Sequence, residues 1–307
     1  MDDEQRDLLD RVPGWAGRAR VIRALDGGIT NRNLLIDVDG EQFVLRLTGK
    51  DTHLLSIDRD VERLANERAA ALGIAPQVAG FLEPERYLIT RFVDGGPIPI
   101  ERMGDQDILD RVVPMLRTFH DSGPLPGEFD CFRIPESTAA HAQARGVAIP
   151  SAYAPAMECA REIEAAFAAT PEPRVPCHND LLNANFLLDG ARIWLLDWEY
   201  AGMNERFFDL GNFAVNNELD TDRADALLSA YFGQATKRRR ARLALMKVMS
   251  DLREAMWGVV QQGISTLDFD YVAYADKHFD RLLSNAGAPG YGALLDAAAE
   301  PEKHLDA

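Results

Sequence analysis

The sequence predicts a bilobal α+β protein: a small N-terminal lobe built on an antiparallel β-sheet with one helix, and a larger, mainly helical C-terminal lobe. Three observations carry this expectation. Short β-rich runs separated by Gly-containing turns fill most of residues 20–92. A glycine and proline cluster, Asp94-Gly95-Gly96-Pro97, follows them. Beyond it the pattern becomes almost wholly helical, and 307 residues exceed what one hydrophobic core comfortably serves. The boundary is therefore placed at about residue 94, giving lobes of residues 1–93 and 94–307.

After a short amphipathic helix, Arg20 to Leu25 reads as a strand, Asp26-Gly27-Gly28 as a tight turn and Asn33 to Val38 as a second strand. Asp39-Gly40 is a hairpin signal, and Gln42 to Leu47 is the third strand. Ile57 to Leu72 turns helical and stops at Gly73 with Pro76 just beyond. Gln77 to Phe81 and Arg86 to Phe92 complete five strands. In the second lobe, helices are expected near Gln106 to Asp121, Ala154 to Ala169, Asp222 to Phe232, Lys237 to Gly263 and Phe269 to Asn285. The exception is a hairpin from Asn185 to Trp198, turning at Asp189-Gly190.

Composition narrows the function. The formal charge of −16 argues against nucleic acid or an anionic membrane as the main partner, since both require a basic surface, and it fits a cationic substrate better. The run Lys237-Arg238-Arg239-Arg240 is read as a solvated helix face. No stretch reaches the roughly 20 apolar residues needed to span a bilayer, so no membrane insertion and a cytoplasmic location are expected. Cys131, Cys159 and Cys177 lack the spacing of a disulfide framework or a zinc site and are read as reduced thiols. The oligomeric state is not fixed by the sequence.

The most informative segment is His178-Asn179-Asp180-Leu181-Leu182-Asn183-Ala184-Asn185, followed after the hairpin by Leu195-Leu196-Asp197-Trp198-Glu199. A turn at Asp189-Gly190 sets Asp197 opposite residues near 182 to 184, so that two carboxylates and an amide are expected to converge. Phosphoryl transfer requires such a set: a carboxylate to orient the attacking hydroxyl, and oxygen ligands for Mg²⁺. Asp180 suits the first role, Asn185 and Asp197 the second. The alternative is a set of capping and turn residues with no chemistry.

These segments, extended through LLDWEYAGMNERFFDLGNFAVNNEL, resemble the choline and ethanolamine kinase branch of the aminoglycoside-phosphotransferase, protein-kinase-like superfamily. The resemblance implies a bilobal protein-kinase-like fold with ATP and Mg²⁺ as cofactors, Asp180 as catalytic base, and Asn185 and Asp197 as magnesium ligands. It implies an ATP-dependent phosphotransferase acting on the hydroxyl of a small cationic amino alcohol. An aminoglycoside or sugar kinase, or a non-catalytic nucleotide-binding member, are the competing readings.

For the nucleotide, Gly28, Thr30 and Asn31 lie in a loop between two strands, where mobile backbone and short polar groups reach phosphate oxygens. In the third strand, alternation puts Val44 and Arg46 on one face, with Arg46 toward the nucleotide. Protein kinases have a lysine here, whereas the only lysine in the first hundred residues is Lys50. An arginine in this strand is similar to the choline kinase branch, and it clamps phosphate with a forked, permanently charged group. A strand arginine exposed at a sheet edge is the alternative. Its carboxylate partner is Glu62 or Glu67; the spacing to the Gly-Ile-Ala-Pro stop, similar to that of the family, favours Glu62. The resemblance further implies adenine contacts from backbone groups at Arg91 to Val93.

For the acceptor, the resemblance carries over Trp257 and Tyr274, because a quaternary ammonium is recognised by aromatic faces and carboxylates. Glu254 stands where characterised choline kinases often have a second aromatic residue, which predicts a thinner and more acidic cage and favours ethanolamine or another primary amino alcohol. Glu199 faces Mg²⁺ or the substrate cation. Asp209 and His178 are read as residues that hold the loop in shape.

Overall fold

The computed structural model describes residues 3–25, 31–49, 52–190 and 192–302. Its strands are β1 (Ala19–Leu25), β2 (Arg32–Val38), β3 (Glu41–Leu47), β4 (Val78–Leu82), β5 (Tyr87–Arg91), β6 (Gly96–Pro97), β7 (Val175–Cys177), β8 (Phe186–Asp189), β9 (Arg192–Leu195) and β10 (Gly202–Asn204). Its helices are α1 (Asp3–Asp10), α2 (Arg59–Ala71), α3 (Gln106–His120), α4 (Ile134–Ala144), α5 (Tyr153–Ala169), α6 (Arg206–Asn216), α7 (Thr221–Phe232), α8 (Lys237–Ile264), α9 (Tyr271–Ala286) and α10 (Tyr291–Ala299). The architecture is α+β: one five-stranded antiparallel sheet and a mainly helical remainder. Among the described residues, no helix is long and apolar enough to cross a membrane.

Two compact units divide the chain: Met1–His53, Ile57–Ile98 and Ala184–Glu199 form the first, and Leu54–Ser56, Pro99–Asn183 and Tyr200–Ala307 the second. In the first, the sheet order is β1-β2-β3-β5-β4. Strand alternation sends Phe43 and Leu45 of β3 into a core with Leu34, Ile36, Leu82 and Ile89, which Leu9, Val12 and Trp15 cover. The Trp15 and Phe43 rings lie 4.8 Å apart. Each such fully buried aliphatic side chain contributes about 1.5–3 kcal/mol relative to exposure. Val44 and Arg46 take the opposite face, and β3 is a central strand rather than an edge.

Helix α2 starts at Arg59, two residues later than the apolar pattern alone predicts, because the Asp58 carboxylate caps the amides of Asp60 and Val61. Gly73 ends it with a left-handed φ of 74°. The hairpin expected inside the helical lobe belongs instead to the first unit, and that unit runs past residue 94 to Ile98. Backbone pairing explains both differences. β6 pairs with β8, Leu195 donates its amide to the Ile74 carbonyl, and the Arg192 guanidinium donates to the Gly73 carbonyl.

In the second unit, the 28-residue α8 packs against α4, α6, α9 and α10. Helices α4, α6 and α10 are absent from the sequence reading. Nine of the eleven residues of α6 are buried, so it presents no polar face and no amphipathic period. The basic run at the start of α8 is a solvated face only in part: Lys237 and Arg240 are exposed, Arg240 pairing with Asp225, whereas Arg238 is buried against Glu172.

At Gly211 the backbones of α6 and α8 approach closely: a Cβ there would lie 2.7 Å from the Met246 carbonyl carbon. Helix propensity favours alanine over glycine by about 1 kcal/mol, but backbone cannot give way cheaply. Gly211→Ala is expected to destabilise the protein by about 1–3 kcal/mol, read as a lower urea midpoint at unchanged m-value.

Candidate active site

In the first unit, six polar side chains from four segments form one cluster. The Arg46 guanidinium donates through Nη1 to Glu62 Oε1 at 2.7 Å and to Asp197 Oδ1 at 2.8 Å. Arg59 donates to the other oxygen of Glu62 at 2.7 Å and to Glu199 at 3.1 Å. Asn31 donates to Glu199 at 2.8 Å. Glu62, Arg59 and Glu199 are buried, so each charge depends on a partner; breaking a buried pair typically costs about 3–5 kcal/mol. Burial opposes the charge on Arg46, but Asp197, Glu62 and Glu199 together hold its pKa above the usual value. Burial, reinforced by Asp197, pushes the Glu199 carboxyl up to about 7 against the pull of Arg59 and Arg46.

Asn185 and Asp197 come together through the hairpin register. Phe186 pairs with Leu195, and the Leu196 amide donates to the Asn185 carbonyl, so Asp197 follows directly on the last bond of the ladder. Asp197 adopts a left-handed φ of 63°, a conformation that non-glycine residues take sparingly and that gathers at functional positions. Of the predicted phosphate loop, Gly28 and Thr30 lie outside the described residues. Asn31 is bound into the carboxylate cluster. Arg91 donates its amide to the Gln77 carbonyl and points its guanidinium at Glu41, while Val93 follows β5.

The second unit holds Asp180 on the loop after β7. Both oxygens of the fully buried Asp209 carboxylate, on α6, serve this loop: Oδ1 accepts from the Asn179 amide at 2.7 Å and Oδ2 from the His178 amide at 2.9 Å. His120 Nε2 lies 2.9 Å from Oδ2, and its Nδ1 lies 2.6 Å from the Tyr231 hydroxyl. His120, Cys177 and Asp209 stand close enough to hold a metal, but the histidine and carboxylate atoms are already hydrogen-bonded, and the cluster is structural. Asn179, at φ 68°, donates to the Tyr200 carbonyl, and the Leu181 amide donates to Asn212. His178 is buried, and its Nδ1 accepts from the Asp180 amide at 3.2 Å.

Beside that loop, α8 presents Arg253, Glu254 and Trp257. Arg253 Nη1 lies 3.2 Å from Asp180 Oδ1 and 2.6 Å from Glu254 Oε1. The Tyr274 hydroxyl donates to Glu254 Oε2 at 2.7 Å. The Trp257 ring meets the rings of Tyr271 at 5.8 Å and Tyr274 at 5.4 Å, edge to face. Trp257 and Arg253 line a small pocket with Tyr200, Phe129, Thr138 and Leu55. The acidic cage expected from Glu254 is not what forms: both its oxygens are engaged, one by a cation, and no unpaired carboxylate charge remains there.

The preference for Glu62 over Glu67 holds, since Glu67 is exposed and sits 3.8 Å from Arg63. Sequence reasoning missed Arg59, Arg253, Tyr200 and His120. A charged residue inside the apolar stretch of α8 was the available signal for Arg253.

A family model described as choline/ethanolamine kinase matches residues 22–229, more than half of the chain. The chain belongs to the choline/ethanolamine kinase family. It is a small-molecule kinase. Protein LicA of Haemophilus influenzae is 29% identical over 221 residues, which cover 69% of this kinase and 62% of that protein. Ethanolamine kinase 2 of Mus musculus is 26% identical over 325 residues, covering 91% and 81% of the two chains. The crystal structure of a choline/ethanolamine kinase family protein from Mesorhizobium loti matches with a TM-score of 0.79 and 30% identity, covering 97% of this kinase and 98% of that chain.

Asp209 supplies a pH test of the loop. Burial alone would raise its pKa, but hydrogen bonds from His120 and the loop amides, with the charges of the two histidines, bring it below the usual carboxylate value. A depressed folded-state pKa gives stability that is fully present above about pH 4 and is lost as the pH falls through the folded value. Asp209→Ala is expected to cost about 3–5 kcal/mol at pH 7, with the gap to the unmutated kinase narrowing below pH 4 in urea titrations.

Proposed function

We propose that this kinase transfers the γ-phosphoryl group of ATP, with Mg²⁺, to the hydroxyl of a small amino alcohol of the choline or ethanolamine type. The observation that carries the acceptor class is the ring cluster of Trp257 on α8 with Tyr271 and Tyr274 on α9, Trp257 lying one turn from the arginine that touches Asp180. Aromatic faces attract a small organic cation by about 0.5–2 kcal/mol each.

In this reading Asp180 accepts the hydroxyl proton as the oxygen attacks phosphorus, and Arg253 holds one carboxylate oxygen so that the group keeps its orientation. The amide oxygen of Asn185 and the carboxylate of Asp197 are hard donors suited to Mg²⁺. When bound, that ion neutralises phosphate oxygens in the transition state. Arg46, fixed by Glu62, presents a permanent positive charge toward the phosphates, and Arg59 fixes Glu62 in turn. Asn31, Gly28, Thr30, Arg91 and Val93 complete the nucleotide contacts, and Glu199 stands beside Asp197 as a further carboxylate.

The test is ADP release from purified protein with ATP and Mg²⁺ against choline, ethanolamine, aminoglycosides and small sugars. Release with the amines alone supports the proposal; release only with sugars or aminoglycosides overturns the acceptor class. Asp180→Ala is expected to lower kcat by about 10²–10⁴ while nucleotide binding by calorimetry changes little. Trp257→Ala should raise the KM for the amine about tenfold or more, with a smaller effect on kcat.

A further inference from the structure

Where the amino-alcohol reading puts the substrate's cation, the second unit already carries one of its own. Arg253 lies four residues before Trp257 on α8 and is 5% exposed. Its guanidinium carbon stands 4.1 Å from the centre of the Tyr200 ring, its Nη1 lies 2.6 Å from Glu254 Oε1, and the same nitrogen lies 3.2 Å from Asp180 Oδ1. These are one aromatic face and two carboxylates, the elements on which an ammonium ion relies. Glu254, Asp180, Tyr200 and Tyr274 outweigh the cost of burial and keep Arg253 firmly protonated. Its Nη2 is buried and finds no hydrogen-bond partner among the described residues, so the guanidinium is held by charge and stacking on one side only.

We infer that Arg253 is a specificity-determining residue that turns the acceptor pocket away from quaternary ammonium compounds and toward primary amines, an inference that rests on the amino-alcohol reading above. A quaternary ammonium donates no hydrogen bond and binds through ring faces and carboxylate charge alone. Arg253 covers the Tyr200 face and compensates Glu254, whose second oxygen Tyr274 takes. What remains to a trimethylated nitrogen in the pocket is the rings of Trp257 and Phe129, with the Glu254 charge already compensated. Repulsion from the guanidinium acts on both classes of amine. A primary ammonium offsets it with three N–H donors, each able to find an oxygen that a methyl group cannot use. The side chain therefore discriminates by removing the contacts on which only one class depends.

Calorimetric binding of ethanolamine and choline to the unmutated protein, Arg253→Met, Arg253→Gln and Arg253→Lys tests this without relying on turnover; thermal unfolding confirms that each variant is folded. Ethanolamine is expected to bind the unmutated protein at least about tenfold more tightly than choline, a ratio that the Lys variant keeps and the Met and Gln variants narrow about tenfold. Gln retains hydrogen-bond donors toward Asp180 and Glu254, so it reports on charge even where Met perturbs folding. Equal affinity of the unmutated protein for both amines, or a ratio unchanged in the uncharged variants, overturns the role of Arg253 and leaves the amino-alcohol reading standing. Binding of neither amine to any of the four proteins overturns that reading, and this inference with it.

Discussion

A single guanidinium ties together the parts of the first unit that sequence keeps far apart. Arg46 stands on a central strand, Glu62 on the helix that follows, and Asp197 just past a hairpin some 150 positions later; one nitrogen reaches both carboxylates. Such an arrangement is costly to assemble, because Glu62 and most of Arg46 must leave water. It is tolerable only when the partners are held by structure that does not depend on them. Here the sheet core supports β3, the Asp58 cap fixes the start of α2, and backbone pairing of β8 with β6 and β9 places the hairpin. The charges then act as a gauge of whether those three pieces are correctly placed.

The second unit solves an analogous problem with hydrogen bonds instead of ion pairs. A loop carrying Asn179 in a left-handed conformation has amides that no sheet or helix can satisfy. Asp209 and Asn212, a turn apart on α6, take up three of them, at His178, Asn179 and Leu181. Because α6 is itself buried against α8 through Gly211, the shape of the loop is referred to the centre of the helical core.

What the sequence makes legible follows from this division. Helices α2, α3 and α9 were legible because each has a buried and a polar face, the strands because β-rich runs alternate with turn signals, and the 28-residue α8 by its length, although its middle is buried all round. Helix α6 was not, since burial all round removes the period, and the hairpin was found but assigned to the wrong unit, since its allegiance is decided by a two-residue strand and one amide on Leu195. The Asp180, Asn185 and Asp197 set stood out by spacing, and Glu62 could be preferred over Glu67. Arg253 with Glu254 could not be read as a pair, because adjacent helical residues ordinarily point about 100° apart; only the buried setting brings their charged ends to 2.6 Å. The more acidic cage inferred from Glu254 alone was the result.

Both cations of the Arg46 and Arg59 cluster are guanidinium groups, with no amine among them. Acylating reagents and acetyltransferases that act on lysine nitrogen therefore have no target in it. Covalent labels designed for the strand lysine of protein kinases should leave this cluster unmarked, whereas dicarbonyl reagents selective for guanidinium meet two candidate groups there, both shielded by their carboxylates.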